Sequence, residues 1–248
     1  MAEEIGRTKG PTGSIAFRRI AGEGPCVVFL GGFRSDMSGT KATALAHWAL
    51  DHGRAFLRFD YSGHGASEGR FEDGAVSDWT EDARVAITAL TEGPLCLVGS
   101  SMGAWIGALL ARSLKARIAG AVFVAPAPDF TERLLLQSLS PEQRRAIDAG
   151  GRLVLPSAYG DEPEIFTRRL LEDGRAHCVL PGPISFDGPV RILHGKRDRD
   201  VPWPTALDFA AAIDAPEINL TLIDDGDHRL SREHDLRRLV AAVAALKD

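Results

Sequence analysis

Short apolar runs alternate with helix-length patterns along most of this chain, and that alternation limits the fold more than any other feature of the sequence. The runs fall at residues 14–19, 26–30, 55–59, 95–99, 120–125, 190–194 and 219–223. From the second onward most are apolar without interruption, as strands covered on both faces of a parallel sheet should be. Helical patterns occupy residues 39–50, 78–90, 102–114, 203–213 and 232–246. Strands alternating with helices of this length spell βαβ units. The expected class is α/β, a mostly parallel sheet with helices on both faces.

One stretch breaks the rhythm. Residues 127–189 separate two strand candidates. A structureless loop of that length is uncommon inside a compact domain. The stretch holds helical patterns at residues 130–139, 141–149 and 164–172, with Pro156, Pro163, Pro181 and Pro183 between or after them. The expected organisation is a core of residues 1–126 and 190–248 with an inserted helical cap at 127–189.

Composition removes several function classes. Lys plus Arg is 29 and Asp plus Glu is 34, for a net charge of −5. With no long basic run, nothing supports a nucleic-acid partner. No apolar stretch approaches the ~20 residues of a membrane span, so no membrane insertion is expected. The opening Met1-Ala2-Glu3-Glu4-Ile5-Gly6 has neither the basic run nor the apolar core of a targeting segment. The three cysteines, Cys26, Cys96 and Cys178, are too few for a disulfide framework. A cytoplasmic location fits both features. Cys178 follows His177, but no second pair has zinc spacing, and no G-x-G-x-x-G loop follows a strand. Chemistry without a metal or organic cofactor is expected.

Gly99-Ser100-Ser101-Met102-Gly103 has the form G-x-S-x-G. It directly follows one apolar run and directly precedes a helical pattern. A sharp strand-to-helix turn needs glycines on both flanks and exposes the central hydroxyl. Gly65-Ala66-Ser67-Glu68-Gly69 matches the same form but lies beyond a strand end and runs into polar residues, as a Gly-rich turn would. Ser101 is therefore the expected nucleophile.

A serine hydroxyl needs a base. Of seven histidines, His228 stands in a loop, Asp224-Asp225-Gly226-Asp227-His228, just past the last strand. His64 lies in a Gly-rich loop, and His194 ends a strand, where it reads as hydrogen-bonded scaffold. The base needs an acid to hold its tautomer. Asp198, in the loop after another strand, is the first choice; Asp200 and Asp129 are the alternatives. The chain order Ser101, Asp198, His228 is the order of α/β-hydrolases. The oxyanion requires two backbone donors. Met102 N–H is one, and Phe33 N–H, in the loop Leu30-Gly31-Gly32-Phe33, is the other. Arg34 stands just past that loop, either to meet an anionic leaving group or as a solvated loop charge. Leu134-Leu135-Leu136 reads as acyl pocket or as core.

On these motifs the chain resembles the α/β-hydrolase superfamily along nearly its whole length. Asp60-Tyr61-Ser62-Gly63-His64-Gly65-Ala66-Ser67 resembles the family's D-x-x-G-x-G-x-S turn, and Asp198-x-x-Val201-Pro202 its acid motif. Ser38-Gly39-Thr40-Lys41-Ala42, Val201-Pro202-Trp203 and Asp227-His228-Arg229 look like the mitochondrial branch described as acyl-glucuronide esterases and S-acyl-protein thioesterases. The resemblance implies the α/β-hydrolase fold and cofactor-free hydrolysis of a small acyl ester or thioester, or of an acylated protein. Residues 127–189 match less well, and Ala104 departs from that branch's glycine. Acyl transfer or C–C bond hydrolysis on the same fold is the alternative reading, and a non-catalytic binding protein a third.

Overall fold

Every one of the seven apolar runs becomes a strand of one sheet. The computed structural model describes residues 2–155 and 163–246; Pro156, part of the inserted stretch and the outermost residues of the expected core lie outside them. The core elements are β1 (Glu4–Lys9), β2 (Ser14–Ile20), β3 (Glu23–Leu30), α1 (Thr40–Asp51), β4 (Arg54–Phe59), α2 (Val76–Leu90), β5 (Leu95–Ser100), α3 (Met102–Leu114) and β6 (Ile118–Val124). Between β6 and the next sheet strand come α4 (Leu136–Ser138), α5 (Pro141–Gly150), β7 (Arg152–Leu155), β8 (Glu164–Thr167), α6 (Arg168–Ala176) and β9 (Ile184–Ser185). The chain closes with β10 (Val190–Gly195), α7 (Pro204–Ala212), β11 (Ile213–Asp214), β12 (Ile218–Ile223) and α8 (Glu233–Ala244).

The main sheet has eight strands in the order β1-β2-β4-β3-β5-β6-β10-β12. The first two pair antiparallel, β2 pairs antiparallel with β4, and the rest run parallel. Successive side chains of a strand point to opposite faces, and here both faces are covered. Val28 and Leu30 join the cluster that includes Trp79 of α2 and Trp105 of α3. Val27 and Phe29 join the cluster that includes Leu45 of α1 and Leu239 of α8. Unbroken apolar runs are what such double burial requires. No helix among the described residues is long and apolar enough to cross a membrane.

The stretch between β6 and β10 is not wholly helical. The helical pattern expected over residues 164–172 opens instead as β8, which pairs antiparallel with β7, and the helix begins only at Arg168. Thr167 ends the strand and caps α6, its side chain accepting from the Leu170 N–H at 3.1 Å. Ile165 and Phe166 are β-formers that propensity alone places in a strand. Ahead of the hairpin, α5 is specified locally: Ser140 caps it, Pro141 takes the first turn, and Gln143 reaches back to the Ser140 N–H.

Both ends of this stretch are joined. Asp129, just past β6, accepts from the N–H groups of Val179 and Leu180 at 2.8 and 3.0 Å. Trp105 Nε1 of α3 donates to the His177 carbonyl at 3.0 Å, and Arg169 of α6 pairs with Asp78 of α2.

Candidate active site

Ser101 sits between the last residue of β5 and the first of α3, with φ 55° and ψ −118°. Only a crowded turn holds a non-glycine residue there. A Cβ on Gly99 would lie 2.5 Å from the Gly103 carbonyl oxygen, and one on Gly103 would run into the Leu30 carbonyl. The two glycines let backbone pack on backbone, and the Ser101 N–H donates to the Val124 carbonyl at 2.9 Å. The side chain is left at the carboxyl edge of the sheet, where open α/β sheets bind their ligands.

Two loops build a hydrogen-bonded line to that hydroxyl. His228, from the β12–α8 loop, brings Nε2 to 3.1 Å from Ser101 Oγ. Its Nδ1 lies 2.8 Å from Asp198 Oδ2. Asp198, from the β10–α7 loop, accepts on Oδ1 from the N–H groups of Asp200 and Val201 at 2.9 and 2.8 Å. Its side chain is fully buried. Burial opposes ionisation, but hydrogen bonds from His194 and His228 and the Val201 N–H hold the carboxyl well below the usual carboxylate range. Asp198 thus remains an anion able to fix the imidazole with Nε2 toward the serine.

His194 was legible only in part. It is buried at the end of β10, and its Nε2 lies 3.0 Å from the Val201 carbonyl, as a scaffold histidine would. The same nitrogen also stands 3.2 Å from Asp198 Oδ2. The separation of four residues across a turn was the available signal. The carboxylate is therefore flanked by two imidazoles.

Of the other candidates, all but Asp200 lie away from Ser101. Ser67 Oγ donates to the Asp60 carbonyl at 2.6 Å and accepts from Ala16 N–H at 2.9 Å, as a turn residue does. Asp129 closes the neck of the inserted stretch. His64 is buried among the rings of Tyr61, Phe71 and Trp79, at 5.5, 5.0 and 5.1 Å between centroids. Burial pushes its imidazole down to about 4. Asp200 lines the cavity beside His228.

Among the described residues, ligand atoms of Asp198, Asp200 and His228 approach within 4.8 Å of one another. Both Asp198 oxygens and His228 Nδ1 are already engaged with one another or with backbone, so the group is a hydrogen-bond network.

Gly32 lies against the serine: a Cβ there would stand 3.4 Å from Ser101 Cβ. Phe33 follows, and Met102 opens α3, whose first N–H groups have no carbonyl partner within the helix. The Phe33 ring packs on Phe71, Trp79, Phe130 and Phe166. Arg34 adopts φ 56°, lies 5.2 Å above the Phe71 ring and donates to the Pro163 carbonyl at 2.9 Å. A cavity of about 650 Å³ opens on Ser101 and His228, walled by Phe33, Arg34, Lys41 and Arg229. That is the size of a small-molecule site. Leu135 is buried in the core cluster with Leu136 packed against it.

Residues 24–160 match the family described as serine aminopeptidase, S33. The chain is 34% identical to the mitochondrial palmitoyl-protein thioesterase ABHD10 of Mus musculus over 238 residues, 95% of this chain and 79% of the relative. A solved structure from Agrobacterium vitis S4 superposes with a TM-score of 0.95 at 42% identity, covering 100% of both chains. The structure of mouse α/β hydrolase domain-containing protein 10 superposes with a TM-score of 0.90 at 31% identity, covering 98% of each.

Proposed function

The chain belongs to the serine aminopeptidase S33 family of α/β hydrolases, and on that premise we propose that it cleaves carboxylic esters or thioesters through Ser101, His228 and Asp198. The carrying observation is the unbroken line from Ser101 Oγ through His228 to Asp198. His228 Nε2 takes the hydroxyl proton as Ser101 attacks an acyl carbonyl. The Met102 and Phe33 N–H groups receive the oxyanion, where preorganised donors act most strongly. His228⁺, stabilised by Asp198, gives its proton to the departing alcohol or thiol. Water then repeats the sequence on the acyl-enzyme, with His228 again the base.

Thioesters enter through the relatives: ABHD10 is a palmitoyl-protein thioesterase. The substrate here is an acyl ester or thioester, small or carried on a protein. Residues 127–189 act as the cap that shapes its pocket, with Arg34 at the leaving-group side. The cytoplasm is the proposed location, on the three free thiols. A panel of p-nitrophenyl esters and acyl thioesters, with product analysis, tests the reading. Release of free acid with Ser101-dependent turnover is expected. Acyl transfer to an added alcohol without net hydrolysis would replace it with transferase chemistry.

A further inference from the structure

His228 rides on a loop of residues 224–232 between β12 and α8. On one side the loop is held by the Arg197 N–H, which donates to the Gly226 carbonyl at 2.8 Å. Within it, Asp227 Oδ1 accepts from the Leu230 N–H at 2.9 Å, and Leu230, buried, takes φ 42°. The base therefore sits two residues before a strained turn. A residue in that conformation persists only where its surroundings hold it.

On the other side the hold comes from far away in sequence. Lys41, in the first turn of α1, donates from Nζ to the carbonyl of Arg229, the residue that follows His228. Ser231 Oγ donates to the same carbonyl at 3.0 Å. The groups facing the ammonium are Asp227 and Arg229 of the loop and Asp235 of α8. Burial, offset in part by the two carboxylates, pushes Lys41 down to about 8. A lysine that served only solubility would extend its ammonium into water; this half-buried one turns its ammonium onto a backbone oxygen of the neighbouring loop.

We propose that Lys41 is a positioning residue for the base: through the Arg229 carbonyl it fixes the loop that keeps His228 Nε2 at hydrogen-bond distance from Ser101. Given Ser101 and His228 as nucleophile and base, the reading proposed above, loosening that loop misplaces the imidazole without touching the substrate. Lys41 also stands in the cavity wall. A substrate contact would act on KM, whereas a positioning contact acts on kcat and on the reactivity of Ser101 itself.

The test uses the full chain, p-nitrophenyl butyrate turnover and the rate of fluorophosphonate labelling. Lys41→Met lowers kcat and the labelling rate together, by roughly ten- to a hundredfold, the scale of a small misplacement of a reacting group. KM stays within about twofold, and Lys41→Arg, which keeps a cationic donor, recovers most of both rates. Thermal melts establish folding; should Lys41→Met not fold, Lys41→Gln is read by the same two rates. Lys115→Met, at the far end of α3 beside Asp187, is the control and keeps wild-type rates. Wild-type labelling and kcat in the folded variant, or a rise in KM alone, overturns the positioning role. Labelling of Ser101→Ala would instead overturn the nucleophile assignment on which it stands.

Discussion

Phe33 and Phe166 stack in parallel with an offset, their centroids 5.6 Å apart and their planes 4° from parallel. One belongs to the loop whose N–H is assigned to the oxyanion, the other to β8 of the inserted stretch. Phe130 packs on the same ring from the start of that stretch, 5.5 Å away. The Phe33 loop thus packs directly on the insertion, and on the proposed mechanism its order depends on how the insertion is seated. Phe166→Ala removes a buried aromatic, a change that costs about 3–5 kcal/mol in a well-packed core. We expect a smaller loss of stability, because β7–β8 stands at the periphery, and a clear fall in kcat/KM for esters. Unchanged kinetics in a destabilised variant would uncouple the two.

Asp198→Asn should lower kcat by about three to four orders of magnitude, as loss of the orienting acid does in a serine protease. Asp200→Asn should stay within about tenfold, since it is Asp198 Oδ2 that lies 2.8 Å from His228 Nδ1. The pair is compared at the same pH. A near wild-type kcat in Asp198→Asn would remove Asp198 from the mechanism.

His64 makes stability pH-dependent. Its imidazole is pushed down to about 4 by burial, against about 6.5 in an unfolded chain. The folded state therefore binds the proton less readily than the unfolded state. The contribution is complete above about pH 6.5 and is lost as pH falls toward 4. Between pH 7.5 and 5 it amounts to about 2 kcal/mol. Urea melts at the two pH values should show this slope in wild type and its disappearance in His64→Phe, which keeps a ring among Tyr61, Phe71 and Trp79. Equal slopes in both proteins would place the proton elsewhere.

Gly103 and Gly150 offer a matched contrast. An alanine Cβ at Gly103 meets the Leu30 carbonyl, while one at Gly150 has no atom within 4 Å. Gly103→Ala should lower stability by roughly 1–3 kcal/mol or more, with loss of activity as the elbow shifts. Gly150→Ala, at the end of α5, should be neutral or stabilising by a few tenths to about 1 kcal/mol. Thermal melts read both; a neutral Gly103→Ala would refute the backbone-contact account of the elbow.

The sequence displayed the sheet clearly because double burial writes continuous apolar runs, such as Val27-Val28-Phe29-Leu30. It concealed β1, whose Glu4–Lys9 lies at an edge with mostly exposed side chains and so carries no apolar alternation. It also concealed the β7–β8 hairpin, since Leu170 and Leu171 of α6 gave the preceding residues a helical look. That Ser101, Asp198 and His228 come together was readable because each follows a strand end, where loops meet over the sheet edge. His194 beside Asp198 was readable only as a separation of four residues across a turn. Lys41 on the Arg229 carbonyl was not readable, because no local spacing announces a lysine bound to a distant backbone oxygen.

Ser101 is the proposed nucleophile, and site mapping of a fluorophosphonate adduct by mass spectrometry tests that assignment. A single covalent adduct is expected on the Ser101 peptide, formed in wild type and in Ser67→Ala, absent in Ser101→Ala, and greatly slowed in His228→Gln. An adduct on another serine, or undiminished labelling of folded Ser101→Ala, would contradict it.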